Sequence, residues 1–402
     1  MEKQIIGEGL LTDIHTRAVQ PPDIMWPQNS VVPPLYQTAA YAYHSVDALD
    51  QIFSGESEGY TYTRCGNPTT EGMAQLLAQL EDGPAAAISA SGMGAILVGI
   101  LTLQPNPGPI LLAREIYGGT LGLVRQVLAP LGYRLVWVDT HAGPSLEALL
   151  RDNPGVLIVE TISNPLSRVS PLDELIPMAH QAGCTVLVDN TFATPYHATP
   201  LNWGADLVVH SVTKFIGGHS DLILGALVGG QGLIDRAANL INVMGITPDP
   251  YAAWLALRGA RTMALRMERA SENALALAAA LKNHPAVDRI NYPGLGGNPD
   301  YVVASRLLRR GFGAIFGLRV KGGGDQAEQV ASALKLVSLV PSLGDVMTTV
   351  SHPKVASHRE LSLEEQHAVG IDPAVLRVSV GIENVRDLIE DFTAALNTLL
   401  DE

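Results

Sequence analysis

The chain is short of positive charge. Lys and Arg together number 26 against 40 Asp and Glu, a net charge of −14. A surface this acidic is repelled by nucleic-acid phosphates and by anionic lipid, so neither is expected as a partner. Cysteine is scarcer: two residues exclude a disulfide scaffold and suit a reducing cytosol. Charged residues make up 16% and hydrophobic ones 47%, which excludes a disordered chain and predicts a large buried core. The opening MEKQIIGEGLLTD has no basic region followed by an apolar run, so no signal peptide is expected and the cytoplasm is the expected location. There is no internal repeat, no low-complexity segment and no GxxxxGKS/T phosphate loop. No His or Cys pair has a convincing metal-ligand spacing, and no metal is expected. Lysine is the most unevenly spread residue. Only six occur, and Lys214 stands alone between Lys3 and Lys282.

The stretch Gly83 to Ala113 carries no charge and is long enough to span a membrane. Its serines, glycines and Pro105, Pro107 and Pro109 argue otherwise, and no basic cluster flanks it. It reads as a buried strand (Ala85–Ser89), a turn, a buried helix (Met93–Leu103) and a second strand (Ile110–Ala113). Apolar runs recur at Arg134–Val138, Val156–Glu160, Thr185–Asp189, Leu207–Ser211 and Ile223–Val228. Helical patterns lie at Gly119–Leu131, Ser145–Arg151 and Leu172–Gln181. Near-continuous apolar strands alternating with helices predict a mostly parallel α/β sheet covered on both faces. Beyond Arg258 the pattern becomes a smaller α+β unit. Helices are expected at Arg261–Lys282, Pro299–Arg309, Asp325–Leu334 and Val385–Leu400, with strands at Val287–Tyr292, Ala314–Leu318 and Leu376–Val380. The proline-rich first 60 residues read as an arm packed on a neighbouring subunit. The division expected is an arm (1–60), a large domain (61–258) and a C-terminal domain (259–402).

Ligands on parallel sheets sit beyond the carboxyl ends of the strands, and polar residues gather at those ends. Lys214 follows the strand Leu207–Ser211. A partly desolvated lysine has a lowered pKa, and its neutral amine can form a Schiff base. The bland alternative is a solvated surface lysine. Asp189 ends the strand TVLVD, 25 residues before Lys214, about one βαβ unit. It is a helix cap, a metal ligand or a catalytic acid; a pyridoxal phosphate enzyme needs such an acid against its ring nitrogen. Ser89-Ala-Ser-Gly-Met93 joins a strand to a helix N-terminus, which suits a phosphate. Tyr62 and Arg64 lie in a turn-rich segment, where Arg64 is an anion partner or an ordinary surface arginine. Tyr117 either stacks on a flat ligand or packs in the core. Arg377, among Leu, Val and Val, needs an anionic partner.

Ser211-Val-Thr-Lys214 also fits the SxxK of serine acyl-transferases such as β-lactamases, with Ser271-Glu-Asn273 and Lys321-Gly-Gly323 following in the right order. Against it, Ser271 falls in a long amphipathic helix, Gly322 lacks a hydroxyl, and the α/β run has no place in that fold. A non-catalytic scaffold is a third possibility.

The motifs together resemble the pyridoxal phosphate enzymes of cysteine and methionine metabolism. That family includes the cystathionine γ-lyases and γ-synthases, methionine γ-lyases and homoserine-ester sulfhydrylases. The likeness runs through Tyr62-Thr-Arg-Cys-Gly-Asn-Pro-Thr69, Ala90-Ser-Gly-Met93, Tyr117-Gly-Gly-Thr120, Glu160-Thr-Ile-Ser-Asn-Pro165 and Val188-Asp-Asn-Thr191. It continues in Ser211-Val-Thr-Lys-Phe215, Gly218-His-Ser-Asp221, Ser342-Leu-Gly344 and Leu376-Arg-Val-Ser-Val-Gly381. The resemblance implies a fold type I transferase architecture with a seven-stranded sheet. Lys214 would be the covalent anchor of pyridoxal 5′-phosphate and carry protons, Asp189 would pair with the ring nitrogen, and Tyr117 would stack on the ring. Gly92, Met93, Ser211 and Thr213 would hold the phosphate, with Thr191 also at the cofactor and Asn164 near the ring hydroxyl. Tyr62 and Arg64 would reach that phosphate from a neighbouring subunit, in a homo-oligomer of dimers. Arg377, with Ser342 and Asn164, would take the amino-acid substrate.

The resemblance also bears on the substrate. Cystathionine enzymes often carry a glutamate where this chain has Pro341, and can carry an arginine after Tyr-Gly-Gly-Thr, where it has Leu121. Methionine γ-lyases usually carry a cysteine at the place of Gly119 and a Lys-Asp pair near Ile241-Asn242. The segment 357–366 looks like that of sulfhydrylases. The expected activity is γ-elimination on a sulfur amino acid with an uncharged tail, giving a 2-oxo acid, ammonia and a thiol. The alternative is γ-replacement.

Overall fold

The structure is a computed structural model that describes residues 13–20, 29–356, 366 and 372–400. The likeness to sulfhydrylases over 357–366 therefore lies, but for Gln366, outside the described residues. Seven strands form the larger sheet: β1 (Ala85–Ser89), β2 (Pro109–Ala113), β3 (Arg134–Val138), β4 (Val156–Glu160), β5 (Thr185–Asp189), β6 (Leu207–Ser211) and β7 (Gly225–Gly229). Their order is β1-β7-β6-β5-β4-β2-β3, parallel except where β7 runs against β1 and β6. Val186, Leu187 and Val188 of β5 have no exposed surface, as expected of a strand covered on both faces. Five strands, β1 and β3 to β6, match the expected spans residue for residue, and β2 begins one residue earlier, at Pro109. The last differs: Ile223 lies outside β7 and is 66% exposed.

The helices are α1 (Ile14–Val19), α2 (Val46–Phe53), α3 (Pro68–Leu80), α4 (Gly92–Leu103), α5 (Gly118–Leu123), α6 (Pro144–Asp152), α7 (Leu172–Gln181) and α8 (Thr194–His197). They continue with α9 (Gln231–Met244), α10 (Pro250–Ala260), α11 (Met263–Leu281), α12 (Tyr301–Leu307), α13 (Gly324–Ala333) and α14 (Val385–Asn397). After α5 the chain widens into a π turn (Val124–Leu128) and tightens into a 3₁₀ turn (Ala129–Leu131), so the helix expected over Gly119–Leu131 is not uniform. Among the described residues of the first 60, the arm includes the helices α1 and α2. Ile14 and Ala18 of α1 are buried in the same cluster as Met73 of α3 and Met267 of α11.

A second sheet follows α11. It has the order β10-β11-β12-β9-β8, from β8 (Val287–Asn291), β9 (Ile315–Val320), β10 (Ser338–Leu339), β11 (Thr349–Ser351) and β12 (Val375–Ser379). One face is covered by α11, α13 and α14 around Leu277, Phe316 and Phe392. Among the described residues no helix is long and apolar enough to cross a membrane.

Candidate active site

The polar strand ends meet at the carboxyl edge of the larger sheet and line a cavity of about 370 Å³. Register sets their heights: Glu160 of β4 lies opposite Asp189 of β5, and Ser211 of β6 opposite Gly225 of β7. α4 begins at this edge. The Ser91 hydroxyl caps it, accepting from the Gly94 N–H at 3.0 Å. The Gly92 and Met93 N–H groups open this twelve-residue helix without intrahelical acceptors. A Cβ on Gly92 would sit 2.8 Å from Ser211 Cβ, and one on Gly225 would sit 2.1 Å from the Ser91 carbonyl. Both glycines let the helix start close on Ser211. Thr213 Oγ1 donates to the Leu224 carbonyl at 3.2 Å and accepts from the Leu224 N–H at 3.1 Å, which fixes the loop after β6.

Asp189 Oδ1 accepts from the Thr191 N–H at 2.9 Å, and Thr191 Oγ1 accepts from the Ser211 N–H at 2.8 Å. Burial raises the Asp189 pKa, partly offset by Thr191 and His210. Lys214 Nζ donates to Ser342 Oγ at 2.9 Å. Burial, then the Arg377 charge, lower the lysine pKa. Arg377, in the middle of β12, is 4% exposed. Its Nη1 donates to Asn164 Oδ1 at 3.1 Å and its Nη2 to the Ser342 carbonyl at 2.9 Å, while Nε has no partner among the described residues. Burial brings its pKa down to about 10, so it stays charged at neutral pH. A buried cation bonded only to neutral oxygens, with a spare N–H, is set to receive a carboxylate.

Tyr117 lines the same cavity, and burial followed by Glu160 raises its pKa. Glu160 is the residue whose part the sequence does not disclose. Its Oε1 accepts from the Tyr117 N–H at 3.1 Å and its Oε2 from the Asn164 N–H at 2.9 Å, tying two cavity residues to one carboxylate. Burial and Asp189 push its pKa well up, against the pull of those two bonds. Behind Asp189 lies a second hidden pair: His210 Nε2 and Glu81 Oε1 are 2.5 Å apart and both side chains are wholly buried. The remaining wall is apolar: Ile96, Ile162, Phe192, Ile223, Pro341, Leu343 and Ala356.

Every candidate site residue lines this cavity except two. Tyr62 and Arg64 lie outside it; Tyr62 is 47% exposed, and Arg64 donates to the Asn242 backbone carbonyl at 3.2 Å and to its side-chain oxygen. The SxxK alternative finds no second site: Ser271 sits in α11, where its Oγ accepts from the Phe312 N–H at 3.2 Å, and neither it nor Lys321 lines the cavity. Among the described residues no group of three or more His, Cys, Asp or Glu could hold a metal ion.

The residues fit pyridoxal phosphate. The glycine-closed N–H cradle matches a phosphate, a buried carboxylate matches a protonated ring nitrogen, and a lysine with lowered pKa matches an aldehyde. Sheet order and crevice are those of the fold type I pyridoxal phosphate enzymes. A family model described as Cys/Met metabolism PLP-dependent enzyme matches residues 15–397, and the chain belongs to that family. It is similar to the L-methionine gamma-lyase of Fusobacterium nucleatum subsp. polymorphum, 38% identical over 369 residues, 91% of this chain and 93% of that one. It is also similar to the homocysteine synthase of Schizosaccharomyces pombe, 34% identical over 418 residues, 95% and 97% of the two chains. Among solved structures, cystathionine gamma synthase from Xanthomonas oryzae pv. oryzae, in complex with aminoacrylate and cysteine, superposes with a TM-score of 0.89. It is 33% identical, with 97% of this chain and 99% of that one covered. The protein is thus a pyridoxal phosphate-dependent enzyme acting on an amino acid.

Proposed function

We propose that this enzyme eliminates the γ-thiol from a sulfur amino acid with an uncharged tail, such as methionine or homocysteine. The products are a 2-oxo acid, ammonia and a thiol. One observation carries the choice of tail. Apart from Lys214, Arg377 is the one cation among the described cavity residues, and Ile223, Pro341, Leu343 and Ala356 are apolar. One substrate carboxylate meets a partner; a second would not.

Bound in the cavity, pyridoxal phosphate supplies an electron sink for the charge that develops at the substrate Cα. Arg377 holds the α-carboxylate, oriented by Asn164 and Ser342. Asp189 keeps the ring nitrogen protonated. Lys214, with its pKa lowered, takes the Cα proton as a neutral amine. Tyr117, with its pKa raised, stays a neutral phenol that donates a proton to the departing sulfur. Gly92, Met93, Ser211 and Thr213 hold the phosphate.

Tyr62 and Arg64 complete the site from a second copy. Both belong to the segment whose motif resembles the family's phosphate-reaching turn, yet neither lines its own chain's cavity, which supports that reading. Mixing Arg64→Ala and Lys214→Ala proteins tests it: shared sites regain activity only if the two residues act across subunits. Cys65 and Cys184 are both free, which suits the cytoplasm.

Incubation with methionine, homocysteine, cystathionine and O-acetylhomoserine, with and without sulfide, tests the reaction. 2-Oxobutanoate from methionine or homocysteine is the expected result. Gly119, which puts no thiol beside Tyr117, favours γ-replacement as the second reading. Homocysteine or a thioether formed without 2-oxobutanoate would establish that reading instead.

A further inference from the structure

Behind the loop that carries Lys214 sits a buried cation that does not line the cavity. Arg266, in the first turn of α11, is 7% exposed. Its four side-chain bonds among the described residues go to neutral oxygens. Nε donates to Thr262 Oγ1 at 3.1 Å, Nη1 to the Phe215 carbonyl at 2.6 Å, and Nη2 to the Ile216 and Gly259 carbonyls at 3.1 and 2.8 Å. Burial lowers its pKa to about 10, against the pull of the Asp345 carboxylate, which is not hydrogen-bonded to it, so the charge persists at neutral pH. Burying a charge without a carboxylate bonded to it is expensive for stability.

The loop explains what the charge is held for. Beyond β6 the chain leaves the ladder and bonds to itself: Lys214 N–H to the Ser211 carbonyl (3.1 Å), Gly217 N–H to Val212 (2.8 Å) and Gly218 N–H to Lys214 (2.7 Å). The next carbonyls, of Phe215 and Ile216, go to the Arg266 fork. Neighbouring backbone leaves no slack. A Cβ on Gly344 would lie 3.1 Å from Lys214 Cα, one on Gly259 would lie 2.2 Å from the Gly217 carbonyl, and one on Gly218 would lie 1.9 Å from Arg266 Nη1. Val346 N–H closes the far side by donating to the Gly218 carbonyl at 3.0 Å.

We propose that Arg266 is a positioning residue that fixes the backbone of Lys214 so that its amine reaches the reacting carbon. The inference rests on reading Lys214 as the residue that binds the cofactor and moves the proton. Without the fork the loop drifts, and a misplacement of about 1 Å costs about 100-fold in rate. The Arg377 contact to substrate is untouched, so the loss falls on kcat and not on KM.

The test compares the holoenzymes of Arg266→Gln, Arg266→Lys and Lys214→Ala, with cofactor content measured after alkaline release. In Arg266→Gln, kcat per bound cofactor is expected to fall about ten-fold or more with KM nearly constant. The pH midpoint of the bound cofactor's visible absorbance shifts as well. Arg266→Lys, which keeps the charge and part of the bonding, recovers some of both. If Arg266→Gln does not fold, Arg266→Lys alone is read by the same two measures. A parental kcat per bound cofactor together with a parental midpoint, whatever the Tm, overturns the proposal. Lys214→Ala separates the two levels. If its absorbance still yields a borohydride-stable protein linkage, the reading of Lys214 fails. If that linkage is lost while the Arg266 variants match the parent, only the positioning role fails.

Discussion

Asp189 and Pro341 line the same cavity and are held there by different means. Asp189 ends a strand bonded on both sides, with Glu160 beside it in register and Thr191 bonded to its carboxylate. Pro341 is an exposed residue of the loop between the two-residue strand β10 and β11. The first wall is built of strand ends whose heights are fixed by a ladder, and of the self-bonded turn that carries Lys214 directly past β6. The second is Arg377 in the middle of β12 and a loop joined to it through the Ser342 carbonyl. A ladder holds an atom where chemistry needs it, whereas a loop can change its side chains without disturbing the sheet. Reaction chemistry is therefore expected to reside in the first wall and substrate choice in the second.

The comparison breaks most sharply at Lys214. Lys214→Ala is expected to lower turnover by about 1,000-fold or more and to abolish borohydride trapping of the cofactor on the protein. Retained turnover would remove the chemistry from the sheet wall. Arg377→Ala comes next. Loss of a charge-assisted, bidentate contact worth roughly 1.5–3 kcal/mol raises KM about 10- to 100-fold. Cofactor content and the visible spectrum stay parental, and a loss of cofactor in this variant would mean that the two walls are not separable.

Much of the first wall is legible in the sequence. A strand buried on both faces reads as an apolar run closed by a polar residue, and VLIVE, TVLVD and LVVHS each end at the cavity edge. The same signal marks Glu160 as strongly as Asp189. Nothing local, however, tells that its two oxygens serve N–H groups 43 residues before and 4 residues after it. Arg266 reads as one more basic residue on a helix, because the two loop carbonyls it holds, of Phe215 and Ile216, lie 51 and 50 residues away. The second wall is less readable. β10 and β11 have two and three residues, too few for any period to show. Tyr62 and Arg64 are legible as a motif but do not enter their own chain's cavity.

Glu160→Gln sharpens the account of the fixed wall. An amide has one acceptor oxygen, so one of the Tyr117 and Asn164 N–H groups loses its partner and meets an N–H₂ instead. A fall of about ten-fold in kcat/KM is expected, on the scale of one buried donor left without its acceptor. The pH dependence has a definite sign. A carboxyl whose pKa is raised by burial contributes stability below its ordinary value of 4.5 and loses that contribution as pH rises through the folded-state value. The Tm of the cofactor-free parent should therefore fall faster from pH 5 to pH 8 than that of Glu160→Gln. The reverse slope would show that the two N–H bonds outweigh burial.

The smallest effect is expected at Pro341→Glu, and it probes the loop wall alone. The position is exposed and touches none of the strand-end residues by hydrogen bond, so cofactor binding and the Lys214 spectrum should not move. A carboxylate there can pair with the distal ammonium of cystathionine, while methionine offers it nothing. Exposed ion pairs contribute up to about 1 kcal/mol, so the ratio of kcat/KM for cystathionine over methionine should rise by at most about five-fold. Salt should shrink that gain, because the pair is screened over a Debye length of about 8 Å at physiological ionic strength. A gain that survives 1 M salt would mean that the loop closes over the substrate and excludes water. A change in cofactor affinity would mean that this wall, too, is part of the fixed frame.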